Sequence, residues 1–238
     1  MLSAVVGMAG GIVLLSVMLL FLDPLVAIPL HGVIQLVSNS SRTVIQRQHV
    51  RWPIIGSYCL LLLPMSVVGL EIAEALSPSV ARILIGLFVL VATWAPSLLL
   101  LGSHPERTDP HRRFLLLGGV VGMVQMTVGA TGPLIAPFFL NLGLSRQSII
   151  GTKAASQALG HVTKILVFGF AGFAFAEHAL MLTLLCGMVV IGTWLGSRIL
   201  EYVSERWFTR IFKAVLTLVA LRLIAWEALG FLDLVPPG

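Results

Sequence analysis

The chain has 238 residues, of which 58% are hydrophobic and 11% are charged, and its formal net charge is +5. A soluble domain carries about 25% charged residues, and a soluble fold could not bury this much apolar surface. The composition therefore excludes a secreted soluble domain, a disordered chain and a nucleic-acid-binding protein, and the basic excess is typical of membrane proteins with basic cytoplasmic loops.

Apolar stretches long enough to cross a bilayer follow one another along almost the whole chain. A spanning helix needs about 20 mostly apolar residues, and eight stretches fit: residues 2–22, 24–45, 53–76, 80–101, 114–142, 148–173, 179–200 and 208–231. The first has no basic residue before it, so we expect it to be retained rather than removed as a signal peptide. The sequence therefore predicts an all-α polytopic membrane protein whose chemistry lies within or between its helices.

The two halves of the chain are related by an internal repeat. At an offset of 122 residues Gly7–Gly11 matches Gly129–Pro133. The offset grows to 127 where Glu71 matches Arg198, and to 128 beyond that point. Several matches in order indicate a duplicated unit of about 120 residues, which is typical of secondary transporters.

The distribution of basic residues decides between two topologies. If every stretch crosses once, the arginines near the helix ends divide six against five between the two sides. Stretch 114–142 can instead enter the membrane and return as two half-helices broken at Gly129–Pro133. The arginines then divide ten against one, and Arg82 is the one arginine on its side of the membrane. The positive-inside rule favours the broken arrangement. A matching break at Gly7–Gly11 then gives each half an odd number of crossings.

These observations together predict two inverted repeats, each made of a broken or re-entrant helix pair plus three transmembrane helices. Met1 aligns with Met123, so either the first copy is shortened or the chain begins further upstream. We expect a first repeat, a cytoplasmic linker and a second repeat at residues 1–102, 103–113 and 114–238.

The second helix of each half carries a polar stripe. The stripe residues are His31, Gln35, Asn39 and Arg42 in the first copy and Lys153, Gln157, His161 and Lys164 in the second. Their spacing keeps all four on one helical face, and ionisable groups within a membrane usually face an interior pathway. Most of these side chains donate hydrogen bonds, which indicates an anion, and the histidines can also carry protons near neutral pH. In the alternative interpretation Arg42 snorkels to the interface and the amides only hold helices together.

The glycine-rich breaks are the other candidate part of a binding site. A break leaves backbone N–H and C=O groups unpaired, which is tolerated only where protein or a water-filled cavity satisfies them, and a helix N-terminus attracts anions. A hinge that only permits close helix packing is the alternative. We predict that Gly129, Thr131 and Gly132 contribute to an anion site with the stripes, the secondary candidates being Gly10, Gly11, His31 and Arg42.

The sequence contains no pattern of a known catalytic or cofactor site. There is no HExxH, GxSxG or Walker sequence, so we predict no enzyme, no metal and no cofactor. Cys59 and Cys186 lie in apolar stretches without a CxxC partner, and we interpret them as buried, inert thiols.

The order of these segments resembles the TauE/SafE sulfite exporter family of membrane transporters. The resemblance covers nearly the whole chain. It implies transport of small, often sulfur-containing anions, such as sulfite or organosulfonates, across the bacterial inner membrane. The chain departs from the family's pattern at its short N-terminus and at Pro29, where the second copy has Gly151. The segments that carry the resemblance are Gly7–Gly11 with Pro24–Ala27, Gly129–Pro133 with Gly151–Ala154, and Arg210–Phe212.

Two functional hypotheses follow. The first is a multi-pass secondary transporter that exports a small anion, such as sulfite or an organosulfur or organic acid anion, by alternating access between the repeats. Its partners are the anion and the lipid bilayer, with no nucleic acid and with a homo-oligomer left open. The alternative is a non-transporting membrane subunit or a membrane-embedded enzyme acting on lipid-linked phosphate. The matched polar stripes favour the transporter, because a scaffold does not need them.

Overall fold

The computed structural model describes residues 2–100, 109–139, 142–199 and 205–231, and the regular structure in these ranges is helical. The α-helices within them are α1 (Leu2–Met18), α2 (Pro24–Ile45), α3 (Trp52–Ala75), α4 (Pro78–Trp94), α5 (Pro110–Thr127), α6 (Gly132–Ile135), α7 (Arg146–Phe170), α8 (Ala179–Ile199) and α9 (Glu205–Phe231). Short 3-10 turns lie at Arg47–His49, Pro96–Leu100, Ala136–Phe139 and Phe175–His178. The all-α prediction is confirmed for this part of the chain, while residues 103–108 of the predicted linker lie outside it.

The helices begin where the internal repeat predicts. α2 and α7 follow Asp23 and Ser145, which are separated by the offset of 122. α3 and α8 begin at Trp52 and Ala179, which are separated by the offset of 127. Asp and Ser both favour the N-cap position, and the Ser145 hydroxyl accepts a backbone N–H in the first turn of α7 at 3.2 Å. Equivalent segments of the two copies therefore form equivalent helices.

The equivalent helices α2 and α7 run antiparallel. In the first half of α2, Gly32 lies against the side chain of Lys164. Just past the end of α2, Gln46 lies against Gly151 in the second turn of α7. Both glycines stand where a Cβ would come within 2.9 Å of the facing side chain. The two polar stripes consequently meet along one close helix crossing.

α4 and α9, the last helices of the two copies, also run antiparallel. At the start of α4 the Arg82 guanidinium donates to Glu227, near the end of α9, at 3.0 Å, and to Asp23 at 2.6 Å. At the other end of the pair the Trp94 indole donates to the Thr217 hydroxyl at 2.9 Å. The bridges of Arg82 to Asp23 and Glu227 therefore join the two halves of the chain at one end of the bundle.

α3 packs closely against α5 and runs parallel to it. Ser57 shares a hydrogen bond with His111 at 2.8 Å, and Ser66 accepts one from Gln125 at 3.0 Å. Between these bonds Gly118 lies so close to the backbone of α3 that a Cβ would overlap it. The two helices therefore touch backbone to backbone.

α3 also runs parallel to α7, because the Arg51 N–H donates to the Thr152 hydroxyl at 3.0 Å while Tyr58 lies beside Gly160 further along. α5 and α7 consequently point the same way, so the chain between them must return, which the broken arrangement requires. The helix directions also place eight arginines of the described part at the end of the bundle opposite Arg82, whereas Arg222, further along α9, lies toward Arg82. The eight are Arg42, Arg47, Arg51, Arg112, Arg113, Arg146, Arg206 and Arg210. Arg107 lies outside the described residues.

The chain breaks between α5 and α7 at the glycine-rich segment. α5 ends at Thr127, Gly129 has a φ of +83°, and α6 is a single turn at Gly132–Ile135. A positive φ favours glycine, and a Cβ at Gly129 would lie 2.7 Å from Leu15 and 3.1 Å from Ile28. The interruption predicted for this stretch is confirmed.

The matching break predicted at Gly7–Gly11 is wrong. α1 continues without interruption from Leu2 to Met18, and the chain turns only at residues 19–22. The two segments differ where the second copy has Pro133 and the first has Gly11. Glycine costs a helix interior about 1 kcal/mol, whereas proline costs about 3 kcal/mol because it removes a hydrogen bond. Glycines without a proline therefore leave α1 intact.

Polarity is distributed in the opposite way from a soluble bundle. Lys164 and His31 are fully buried at the α2–α7 crossing. Large apolar side chains on the outer faces of α3, α4 and α8 are instead exposed, among them Leu60, Leu87 and Leu180. A continuous apolar exterior of this kind is typical of contact with lipid or a partner.

By length and composition alone, two segments of the described part are long and apolar enough to cross a bilayer. They are Trp52–Ala75 and Phe175–Gly192, and the apolar helix Pro78–Trp94 is shorter. α2 and α7 are long enough as well, but their polar stripes lower their hydropathy. The eight crossings therefore stay a prediction.

We expect Gly129→Ala to destabilise the protein more than Gly143→Ala. Both glycines have a positive φ, +83° and +63°, where alanine costs roughly 1–2 kcal/mol. A Cβ at Gly143 would meet open space, whereas at Gly129 overpacking against Leu15 and Ile28 adds about 1–3 kcal/mol. Thermal unfolding of the purified variants in detergent measures the difference, and an equal loss in both would contradict close packing at the break.

Candidate functional site

The crossing of α2 and α7 buries most of the two predicted stripes. Gln157 and Arg42 are half-buried. The other stripe residues expose less than a tenth of their surface: His31, Gln35, Asn39, Lys153, His161 and Lys164. Buried groups of this kind are costly unless their polar atoms find partners, so the partners of each decide what the crossing can bind.

Lys164 joins the stripe to the break. Its side chain is fully buried and passes over Gly32, and its ammonium donates to the Gly129 carbonyl at 2.7 Å. A carbonyl inside a continuous helix is already paired, so the break makes this acceptor available. No carboxylate of the described residues pairs with Lys164. A desolvated cation held only by a neutral carbonyl favours a nearby anion.

Two histidines lie beside this lysine, one from each copy. The His31 and His161 rings meet edge to face with their centroids 5.9 Å apart. The Nε2–H of His31 donates to the Gly11 carbonyl at 2.9 Å, because a carbonyl can only accept. The Nδ1 atoms of both rings have no hydrogen-bond partner among the described residues. The centre therefore keeps two buried imidazole nitrogens available for a ligand or a proton.

The first copy contributes Gln35 and Gly11 to the same centre. A Cβ at Gly11 would lie 3.2 Å from the Gln35 carboxamide, so the glycine makes room for the amide. Asn39, one turn further along α2, donates through its side-chain amide to the backbone carbonyl of Gln35 at 3.0 Å. The Oδ1 atom of Asn39 has no partner among the described residues. Gly10 is exposed and its Cβ position is open, so the structure does not bring it into the cluster.

The break contributes less helix dipole than the sequence suggests. Thr131 and Gly132 are buried beside Gly129, and the Thr131 carbonyl accepts the Ile135 N–H at 3.1 Å. α6 has only four residues, too few for the aligned peptide dipoles that attract an anion to a long half-helix. The break therefore contributes the Gly129 carbonyl and a wall made of the small residues Gly129, Thr131 and Gly132.

Lys153 and Arg42 form a separate group. Lys153 precedes Lys164 by 11 residues in α7, which at 1.5 Å per residue is about 16 Å along the helix. It lies instead within electrostatic range of Arg42. The predicted site residues therefore divide into a centre around Lys164 and a pair near the arginine-rich end.

Three polar residues next to the centre escaped the sequence analysis. The Gln125 amide donates to the Ser66 hydroxyl at 3.0 Å, and its Oε1 lies against Gly160, the neighbour of His161. The buried Tyr58 hydroxyl has no hydrogen-bond partner among the described residues. Each is a single polar side chain in an apolar run, and only its packing gives it a place beside the centre.

A cavity of about 360 Å³ opens at the end of the bundle opposite the arginines. Asp23 and Glu74 line it, and it reaches inward to Thr127 and Ile28. A Cβ at Gly129 would lie 3.1 Å from Ile28, so the cavity extends toward the break.

Comparison with known proteins identifies a family. The Sulfite exporter TauE/SafE family matches residues 1–223 of the chain. No curated protein and no solved structure matches. Because the family match covers nearly the whole sequence, the chain belongs to the TauE/SafE sulfite exporter family, whose members are membrane transporters and not enzymes.

Proposed function

We propose that the protein is a multi-pass secondary transporter of the bacterial inner membrane that exports a small anion, such as sulfite or another organosulfur or organic acid anion. The observation that carries this proposal is the fully buried Lys164 ammonium on the free carbonyl of Gly129. It lies where the polar stripes of both copies meet the broken helix. A transporter site at a repeat interface, built from discontinuous helices, has this composition.

The helix directions support inverted repeats. α2 and α7 are equivalent in sequence and run antiparallel, and so do α4 and α9. A two-fold axis in the membrane plane reverses equivalent helices, whereas an axis along the membrane normal leaves them parallel.

The chemistry of the centre favours an anion over a cation. Neither α2 nor α7 contains Asp or Glu, and a buried cation without a carboxylate is stabilised by an incoming negative charge. On binding, the Lys164 ammonium leaves the Gly129 carbonyl for the anion. We assign the remaining donated hydrogen bonds to side chains of the two stripes, with His31 able to donate only when its Nδ1 is protonated. These side chains are Gln35, Asn39, Gln157, His31 and His161. Gly129, Thr131 and Gly132 form the wall of the break.

Alternating access then exposes this centre to each side in turn. The cavity lined by Asp23 and Glu74 supports a route from the arginine-poor end, with Ile28 as the barrier before Gly129. At the opposite end, the contacts of Gln46 with Gly151 and of Arg51 with Thr152 close the crossing.

We expect Lys164→Met to reduce sulfite flux into proteoliposomes by at least about tenfold, because a charge-assisted hydrogen bond contributes roughly 1.5–3 kcal/mol. Methionine preserves the length and packing of the side chain. The matched control is Lys213→Met, which removes an α9 cation that lies 4.7 Å from the Trp94 ring, and should change flux less than about twofold. Normal flux through a correctly inserted Lys164→Met protein would remove Lys164 from the site.

Thiol labelling tests the inverted repeats. In a background carrying Cys59→Ser and Cys186→Ser, we expect Glu71→Cys and Glu177→Cys to react with an impermeant reagent from outside the cell. His49→Cys, which the repeat offset places within a residue of Glu177, should react only in everted vesicles. Parallel repeats predict labelling of His49→Cys and Glu177→Cys from the same side, and that result would reject the inversion.

A further inference from the structure

The hydrogen bond of His31 to α1 fixes the tautomer of its ring. The Nε2–H donates to the Gly11 carbonyl at 2.9 Å, and only 1% of the residue is exposed. A neutral imidazole carries one proton, so the Nδ1 atom of His31 holds a lone pair. That atom is buried and has no hydrogen-bond partner among the described residues. A buried acceptor without a donor is unfavourable, and its presence requires an explanation.

A positive charge lies close to this ring. The side chain of Lys164 passes over Gly32, the neighbour of His31 in α2, where a Cβ would lie 2.9 Å from it. The His161 ring lies 5.9 Å from the His31 ring between centroids. Neither α2 nor α7 contains Asp or Glu. A proton added to His31 would therefore place a second cation beside the buried ammonium, and like charges repel more strongly in less polar surroundings.

Among the described residues, the other elements around α2 add no further charge beside His31. α1 has no titratable side chain, and neither has the broken segment at residues 128–135. Cys186 of α8 and Tyr58 of α3 are an uncharged thiol and an uncharged phenol at neutral pH. Arg82 of α4 is held by carboxylates at the arginine-poor end. The lysine of α7 is therefore the charge that decides whether His31 takes up a proton.

An anion bound to Lys164 reverses this balance. Its negative charge attracts a second cation. Protonation turns the Nδ1 lone pair of His31 into a donor for the anion, while the Nε2–H keeps its bond to Gly11. With the sulfite dianion, the charges of the ammonium, the imidazolium and the anion sum to zero, and a buried group of paired charges costs less than an unpaired one.

We propose that Nδ1 of His31 is a proton-binding site of the anion centre, and that one proton binds and crosses the membrane together with the anion. The proton comes from solvent and adds to the lone pair, which forms an N–H bond and gives the ring one positive charge. It returns to solvent when the anion leaves. The proton therefore raises the affinity for the anion by the same factor by which the anion raises the affinity for the proton. This site rests on the proposed function, since it names the ion that accompanies the transported anion.

Nitrogen NMR of the full-length protein, purified with isotope-labelled histidine, reads the protonation state directly. At a fixed neutral pH we expect His31 to be the neutral Nε2–H tautomer without ligand and an imidazolium with saturating sulfite. The signal of His31 is the one missing from His31→Gln. Should that variant not fold, replacing the other histidines one at a time assigns the same signal. The exposed His49 is the internal control, and its protonation should not change.

Equilibrium binding of radiolabelled sulfite measures the coupling. We expect the ratio of the wild-type affinity to that of His31→Gln to rise as the pH falls, by up to about tenfold per pH unit for one coupled proton. The ratio cancels the titration of sulfite itself, which is common to both proteins. Glutamine can still donate to the Gly11 carbonyl but cannot take up a proton. His49→Gln should keep the pH dependence of the wild type.

The outcomes separate the proton site from the proposed function. If sulfite binds while His31 stays neutral, or if the affinity ratio does not change with pH, the proton site is wrong and the anion site stands. If His161 becomes the imidazolium in place of His31, the assignment to His31 is wrong. No binding of sulfite to the wild type would reject both the proton site and the transporter.

Discussion

The hydrogen bond between the Lys164 ammonium and the Gly129 carbonyl is the constraint on which the rest of the site depends. A buried ammonium needs an acceptor, and the carbonyls of continuous helices are already paired. The interruption at Gly129, where φ is +83°, supplies such an acceptor at this depth. The break in turn gains a donor for its carbonyl. Lysine and break therefore satisfy each other's hydrogen-bonding groups.

Close helix packing delivers the lysine to the break. Gly32 lets the Lys164 side chain cross α2 toward Gly129, and the antiparallel direction of α2 and α7 brings the stripes of both copies into contact. The scaffold is symmetric, but the site is not. The second copy supplies the break and the central lysine, whereas the first keeps α1 continuous and offers the Gly11 carbonyl to His31. The equivalent helices of the two sequence repeats thus contribute different residues to the proposed centre.

Local patterns predicted the helices and the break at Gly129–Pro133, because these depend on spacing and on residues close in the chain. The stripe follows from helical periodicity, and Gly129–Pro133 interrupts a helix by its own chemistry. The break expected at Gly7–Gly11 is wrong, because glycine without proline does not by itself end a helix. Gln125 and Tyr58 were missed because they join the site through contacts between helices distant in sequence, which no spacing reveals. The sequence analysis did not separate Lys153 from Lys164, because residues on the same helical face can still lie far apart along the helix axis.

The packing of α3 against α5 limits how the proposed alternating access can occur. These helices belong to different repeats, yet Gly118 brings their backbones into contact and the Gln125–Ser66 hydrogen bond joins them in the interior. Separating them would expose backbone and break a buried bond, so α5 has to move together with α3. The moving boundary is therefore not the boundary between the sequence repeats. In the proposed mechanism the polar α2–α7 crossing is the boundary that opens, because Lys164 can exchange the Gly129 carbonyl for an anion. The Arg82 bridges to Asp23 and Glu227 join α2 to α4 and α9 at the arginine-poor end of this crossing, so the proposed opening has to alter them while the contacts of α3 with α5 stay intact.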